Sequence, residues 1–247
     1  MGITKYNLIS TSIGLVFLYE LELSKTKYLI EGLDKKFHNH PPLSISEKND
    51  VFLLMTKMGY SITVSINQIV LVENKEIKIK DLKKGDLIKL SKIPFGLKKI
   101  KECFFNKLIN FLKIKSDENI YETIDIETEE NEIITFNISQ LFIFTKDEIF
   151  KIFSTLFNTN IEYKDTIQIL HFKSINFIRM FQLLLLGFGV KSQITGYSLN
   201  FCFNTEVCED MVFCDEFDSI YFCGKKNIYS LIEPITGYYV ANGFILK

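Results

Sequence analysis

The sequence predicts an α+β chain, rich in strands at both ends and mixed in the middle. Three observations predict it. From Val51 to Leu90, β-branched and other apolar residues alternate between turn signals, which is the pattern of half-buried strands. After the break at Pro94-Phe95-Gly96 the period changes. Ile100, Cys103, Phe104, Leu108, Phe111 and Leu112 recur at helical spacing. Toward the end, Ile228-Tyr229-Ser230-Leu231 and Tyr239–Phe244 are short apolar runs again, the second turning on Asn242-Gly243.

Composition narrows the class. A chain of 247 residues, 47% apolar and with mean hydropathy +0.13, can bury a substantial core. Its 23 Phe and 11 Tyr without Trp, together with abundant Lys, Asn and Ile and only four Pro, suggest an AT-rich genome. A net charge of −1 gives the whole chain no electrostatic footprint for nucleic acid. Charge is nonetheless uneven: residues 73–115 hold thirteen Lys against five acids, and residues 117–132 hold eight acids and no base. An odd count of five cysteines with no opening secretion signal favours a reducing compartment, cytoplasmic or virion-associated. Cys202, Cys208, Cys214 and Cys223 lie too far apart for zinc pairs, so buried thiols are expected and no metal or cofactor. His38 and His40 lack a third ligand and read as an exposed loop. Met1-Gly2 fails as a myristoylation signal because Tyr6 stands at the Ser/Thr position. The longest apolar run, Phe181–Val190, is too short to span a bilayer, so no membrane is expected.

Taken in order, Asn7–Leu23 reads as strand, turn and strand, and Lys25–Glu47 as polar and irregular. Val51–Thr56, Ser61–Val64 and Ile69–Val72 are strands, broken at Met58-Gly59-Tyr60 and at Ser65-Ile66-Asn67-Gln68. Asn74-Lys75 turns the chain into a last pair of apolar runs that close on Gly85-Asp86 and Leu87–Leu90. Lys98–Lys115 is predicted helical, and Asn119–Glu127 and Glu132–Phe144 are predicted strands. Thr145 and Glu148 form a capping box that opens a helix through Phe157. Ile161–Lys173 is a strand pair or one long strand, Ser174 caps a helix over Ile175–Gly187, and Val190–Phe203 turns at Gly196.

Residues 51–90 resemble the second conserved block of inteins and the wider Hint family: strand, G-x-x-I-x-x-S/T-x-N-H, strand, charged turn, L-K-x-GD-x-I. The threonine position of that block holds Ser65, and the histidine position holds Gln68. Asn7–Leu23 resembles the opening block, with Asn7 at its threonine, and the family's first nucleophile falls near Gly2. Phe217–Lys247 resembles the closing blocks: Ser230 stands at an aspartate, Gly237 near a histidine, and Lys247 at the penultimate histidine. The α-β-β-α-β-α-β order predicted from Lys98 to Phe203 resembles the single-unit pattern of LAGLIDADG homing endonucleases, which inteins carry as an insert, and Ser174–Phe203 resembles a characteristic segment of that unit. The resemblance therefore implies a split β-rich Hint domain, residues 1–93 and 205–247, interrupted by a LAGLIDADG-like unit at 94–204.

The resemblance also implies chemistry that these residues cannot perform. Splicing in the family needs a first-residue nucleophile and proton carriers that titrate near neutral pH. Gly2 cannot attack, Gln68 cannot shuttle a proton, and Lys247 does not replace the terminal His-Asn pair. Endonuclease chemistry needs an acid that holds Mg²⁺ between two closely packed helices. Asp117 is the vestigial candidate, but Lys113 and Lys115 stand where small residues belong. The expectation is a free-standing, catalytically inactive intein relic that serves as a structural or protein-interaction subunit of a larger assembly, viral or of another mobile element. The alternatives are a nucleic-acid binder using Lys98, Lys99, Lys101 and Lys107, or residual splicing or homing activity.

Overall fold

A computed structural model describes the chain except for residues 24–27, 40–41, 116–123, 137, 158–160, 165–166, 203–212 and 232–234. The chain is mostly sheet with few helices and divides into two compact units. One comprises Met1–Pro94 with Asp210–Lys247, and the other Phe95–Glu209.

The first unit opens with the hairpin β1 (Leu8–Thr11) and β2 (Gly14–Phe17). The strand expected through Leu23 stops at Phe17, and Leu18–Leu23 forms the short helix α1 instead. Leu18 and Leu21 are buried while Leu23 is exposed, so the apolar residues follow a helical face that the short run did not reveal. The expected irregular stretch contains β3 (Ile30–Glu31) and β4 (Phe37–His38), and the next strand, β5, spans Ser44–Thr56. There follow β6 (Ser61–Ser65), β7 (Ile69–Val72), β8 (Lys75–Lys78), a 3-10 turn at Ile79–Asp81 and β9 (Leu87–Leu90). The alternating residues of 51–90 fall on these strands. Val51, Leu54, Ile62, Val64, Val70, Ile88 and Leu90 are buried.

The second unit runs α2 (Glu102–Lys115), β10 (Ile124–Glu127), β11 (Ile133–Phe136), a 3-10 helix at Ile138–Ile143 and α3 (Lys146–Phe157). It continues with β12 (Ile161–Lys164), β13 (Ile167–His171), α4 (Ile175–Gly187), β14 (Ser192–Thr195) and β15 (Ser198–Phe201). β12–β13–β15–β14 form an antiparallel sheet, and β10–β11 a separate hairpin. Three expectations are corrected here. Residues 98–101 are not helical, because Lys98 bridges Phe144 and Ile100 bridges Thr128 in extended form. The strand expected through Phe144 ends at Phe136, and the 3-10 turn that follows buries Leu141 and Phe142 while Phe144 is buried just beyond it. Glu148 N–H donates to Thr145 Oγ1 at 3.3 Å, but the return half of the box is replaced, since Thr145 N–H donates to Lys98 O at 2.9 Å. A β-carbon on Gly96 would lie 1.9 Å from Ile143 O, so the chain passes that carbonyl only as glycine. Stacked Phe177 and Phe181, 4.8 Å apart, and Phe153 against Phe181 at 5.1 Å join α3 to α4 in the core.

The chain returns to the first unit with β16 (Phe213–Ser230), β17 (Tyr239–Ala241) and β18 (Phe244–Leu246). Asn242 and Gly243, with φ of 48° and 83°, form the tight turn between the last two, as the Asn-Gly pair predicts. The sheet order is β4-β3-β1-β17-β18-β7-β9-β16-β5-β6, with β2 beside β1 and β8 beside β7. Ile3 bridges both Val64 and Tyr229, so the opening residues lie as a strand between β6 and the end of β16. That placement brings both ends of the described chain to the β6–β7 turn.

No helix among the described residues is long and apolar enough to cross a membrane. They hold no group of three or more His, Cys, Asp or Glu that could bind a metal. Cys202, Cys214 and Cys223 are half-buried, which corrects the expected buried thiols, and Cys103 on α2 is exposed. Cys208 and His40 lie outside the described residues, and His38 is held by Asp34 at 3.0 Å.

Candidate functional site

The β6–β7 turn is closed by Gln68 N–H donating to Ser65 O at 3.0 Å, which places Ser65 and Gln68 on its two shoulders. Ser65 faces the opening segment. Gly2 N–H donates to Ser65 Oγ at 3.1 Å, and Ser65 N–H donates to Gly2 O at 2.9 Å. From the end of β16, Ser230 Oγ donates to Met1 O at 2.7 Å. The Met1–Gly2 peptide is therefore held at both of its polar groups by serine hydroxyls. Gly2 is also sterically fixed, since a β-carbon there would stand 2.8 Å from Tyr229 O and 3.3 Å from Ile228 Cβ. A side chain at this position would require the end of β16 to move.

Gln68 faces the other end of the chain. It is 1% exposed, and its Nε2 donates to Lys247 O at 2.6 Å and to Ile69 O at 3.2 Å, which uses both amide hydrogens. Lys247 N–H donates to Ile69 O at 3.2 Å. Lys247 Nζ lies 2.7 Å from Glu76 Oε1 and 5.4 Å from the centre of the Tyr238 ring, and Tyr238 OH donates to the same Glu76 carboxylate. Lys247 first and Tyr238 second hold the Glu76 carboxyl below its ordinary range. The bond to Glu76 is the main reason that the Tyr238 phenol is pushed up to about 12. Glu76 and Tyr238 carry no sequence signal: one lies on a charged edge strand and the other in a Gly-Tyr-Tyr run.

Behind these contacts sits a buried amide pair. Asn7, 2% exposed, donates to Thr63 O at 2.7 Å and to Thr4 O at 3.1 Å, and it accepts from Thr63 N–H at 3.3 Å. Asn242 donates to Asn7 Oδ1 at 3.3 Å and to Ser61 O at 3.1 Å, and accepts from Leu8 N–H at 2.7 Å. Side chains 235 positions apart thus tie the first strand to the last turn.

The structure brings Gly2, Ser65, Gln68 and Lys247 into one site. The groups that touch the Met1–Gly2 peptide and the Lys247 carbonyl are two hydroxyls and an amide, and none of them gains or loses a proton near neutral pH. In this arrangement they hold main chain by hydrogen bonds.

The lysines singled out for nucleic acid lie elsewhere, in the second unit, and each meets the acidic stretch. Lys98 pairs with Glu132, Lys99 with Glu129 at 3.7 Å, and Lys101 with Glu127 and with Asn131 at 2.7 Å. Lys107 Nζ donates to Asp125 O at 3.3 Å. Exposed pairs of this kind add little stability, but they offset the charges of Lys98, Lys99 and Lys101. Asp125, Glu127 and Glu132 lie on or beside the β10–β11 hairpin rather than on the four-stranded sheet. Asp117 lies outside the described residues, and the side chains of Lys113 and Lys115 are likewise not described.

No protein-family model matches the sequence, and no curated protein does. The similar solved structures are inteins. The chain is 14% identical to a mutant of the Ssp DnaB mini-intein variant M86, with a TM-score of 0.48, covering 99% of this chain and 96% of that one. It is 12% identical to the DnaB intein from Synechocystis sp. PCC 6803, with a TM-score of 0.44 and coverage of 99% and 96%. Against the transcription factor IIB Mvu mini-intein the values are 11%, 0.45, 99% and 98%.

Proposed function

We propose that this chain is a Hint-type protein with a LAGLIDADG-like insert, degenerate in both parts, that serves as a structural or protein-interaction subunit of a larger assembly. The motif order across residues 7–90 and 217–247 supports the Hint reading, and the Ser174–Phe203 motif supports the insert. One observation carries the loss of activity. Gln68, at the family's histidine position, uses both amide hydrogens on the Lys247 and Ile69 carbonyls. A side chain that would pass a proton in the family is here a fixed donor that pins the main chain. Ser65 and Ser230 pin Met1–Gly2 in the same way. The former cutting site becomes a clamp on two chain segments. The pairing of Lys98, Lys99 and Lys101 with carboxylates, and the contact of Lys107 with the Asp125 carbonyl, argue against nucleic acid as the partner. The AT-rich composition is the ground for placing the assembly in a virus or mobile element.

The test is to express the chain between two flanking segments and weigh the products. The reading expects the intact fusion alone. A ligated or cleaved product overturns it.

A further inference from the structure

Glu31 ends β3 and is 5% exposed, deep for a carboxylic acid. Its Oε2 has no hydrogen-bond partner, and neither does Ser10 Oγ, which faces it from β1 without the geometry of an ordinary hydrogen bond. A buried carboxylate left in this state is costly, and a proton removes the cost. The Lys35 ammonium is 3.8 Å from Glu31 Oε1 but makes its closer contact with Ser91 Oγ. Lys35 stands at φ 62° in the turn between β3 and β4, which is closed by Gly32 N–H donating to Lys36 O at 2.9 Å. Ser91 in turn donates its N–H to Gly243 O at 2.7 Å, in the turn that carries Asn242. The contact from Lys35 to Ser91 therefore fastens the β3–β4 hairpin to the end of β9 and to the last turn of the chain.

We propose that Glu31, Lys35 and Ser91 form a proton-operated latch: while Glu31 carries a proton, Lys35 holds Ser91, and when the proton leaves, Lys35 turns to the carboxylate and releases it. The groups packed around Glu31 fit this role. β1 offers Ser10, the turn offers Lys35, and the end of β9 offers Ser91. Of the neighbouring strands that pack on β3, β4 carries His38, already engaged by Asp34, and β17 carries the buried phenol Tyr239. Burial raises the Glu31 carboxyl to about 7 against the opposing pull of Lys35 and Ser10, so the latch works near neutral pH.

The test follows the full chain by NMR, titrating the Glu31 side-chain carboxyl carbon and the hydrogen exchange of the Ser91 amide. The latch expects a Glu31 midpoint near 7. It also expects Ser91 exchange, corrected for hydroxide catalysis, to quicken about tenfold across the same range. Glu31→Gln abolishes the step at Ser91. Lys35→Met abolishes it too, while the Glu31 midpoint stays raised. A Glu31 midpoint near the ordinary 4.5 overturns the latch. So does a Ser91 step that persists in Glu31→Gln. If Glu31→Gln does not fold, the wild-type titration and Lys35→Met decide the matter by themselves.

Discussion

Replacing Asn7 by alanine removes the amide that joins the opening segment, β6 and the last turn. The damage can be followed group by group. Thr63 N–H loses its acceptor, Asn7 Oδ1, and becomes an orphaned backbone donor. Such a group costs ~1–3 kcal/mol when buried. Thr63 O keeps Thr4 N–H at 3.2 Å, so it loses one bond of two, and Asn242 keeps Ser61 O at 3.1 Å. These losses are worth ~1 kcal/mol each. The sum is ~3–5 kcal/mol, with the orphaned donor the largest single share. The assay is urea denaturation followed by the NMR amide signals of β1 and β6, which report the first unit alone in a chain of two units. A double-mutant cycle with Asn242→Ala should show coupling of ~1 kcal/mol, the shared bond between the two amides. A loss below ~1 kcal/mol for Asn7→Ala, or additive effects, would refute the claim that this pair ties the two ends of the chain together.

Other outcomes follow from the same structure. Gly2→Ala should cost ~1–3 kcal/mol, because its β-carbon meets the Tyr229 carbonyl, and calorimetry of the first-unit transition reads it. Gly96→Ala should cost more, ~3 kcal/mol or above, since the clash is with the Ile143 backbone, and it should appear in the transition of the second unit. Glu31 gives a pH dependence of known sign. Its carboxyl is raised from 4.5 to about 7 on folding, so the stability tied to its proton is complete below 4.5 and is lost as pH rises through 7. At ~1.4 kcal/mol per pH unit the loss is ~3 kcal/mol, and Glu31→Gln should flatten that part of the stability profile. Duplex or single-stranded DNA at low salt should show no retardation in gels, because the lysines at 98, 99, 101 and 107 are already engaged.

The parts legible in the sequence are those whose signal is local. The alternation of Val51–Leu90 became β5 through β9, the Asn242-Gly243 pair became its turn, and the apolar run after Ser174 became α4. Leu18–Leu23 was misread because six residues of apolar and acidic character fit either period. Residues 98–101 and 138–143 were misread because tertiary contacts decided them. The first are stretched along the β10–β11 hairpin and the second wind to bury Leu141 and Phe142. At the site, Gly2, Ser65, Gln68 and Lys247 were found through motif position. Their partners Glu76 and Tyr238, and the link from Asn7 to Asn242, depend on contacts between residues 162 to 235 positions apart, which no local pattern encodes.

The central claim is that the site holds chain and does not cut it. The direct measurement is the intact mass of the chain expressed between two flanking segments and incubated at neutral pH. A single species, the uncut fusion, is expected for the wild type and for Gln68→Ala alike, since the Gln68 amide donates hydrogen bonds to the Lys247 and Ile69 carbonyls and has no proton that titrates near neutral pH. A spliced product, or cleavage at Met1–Gly2 or after Lys247, would contradict it.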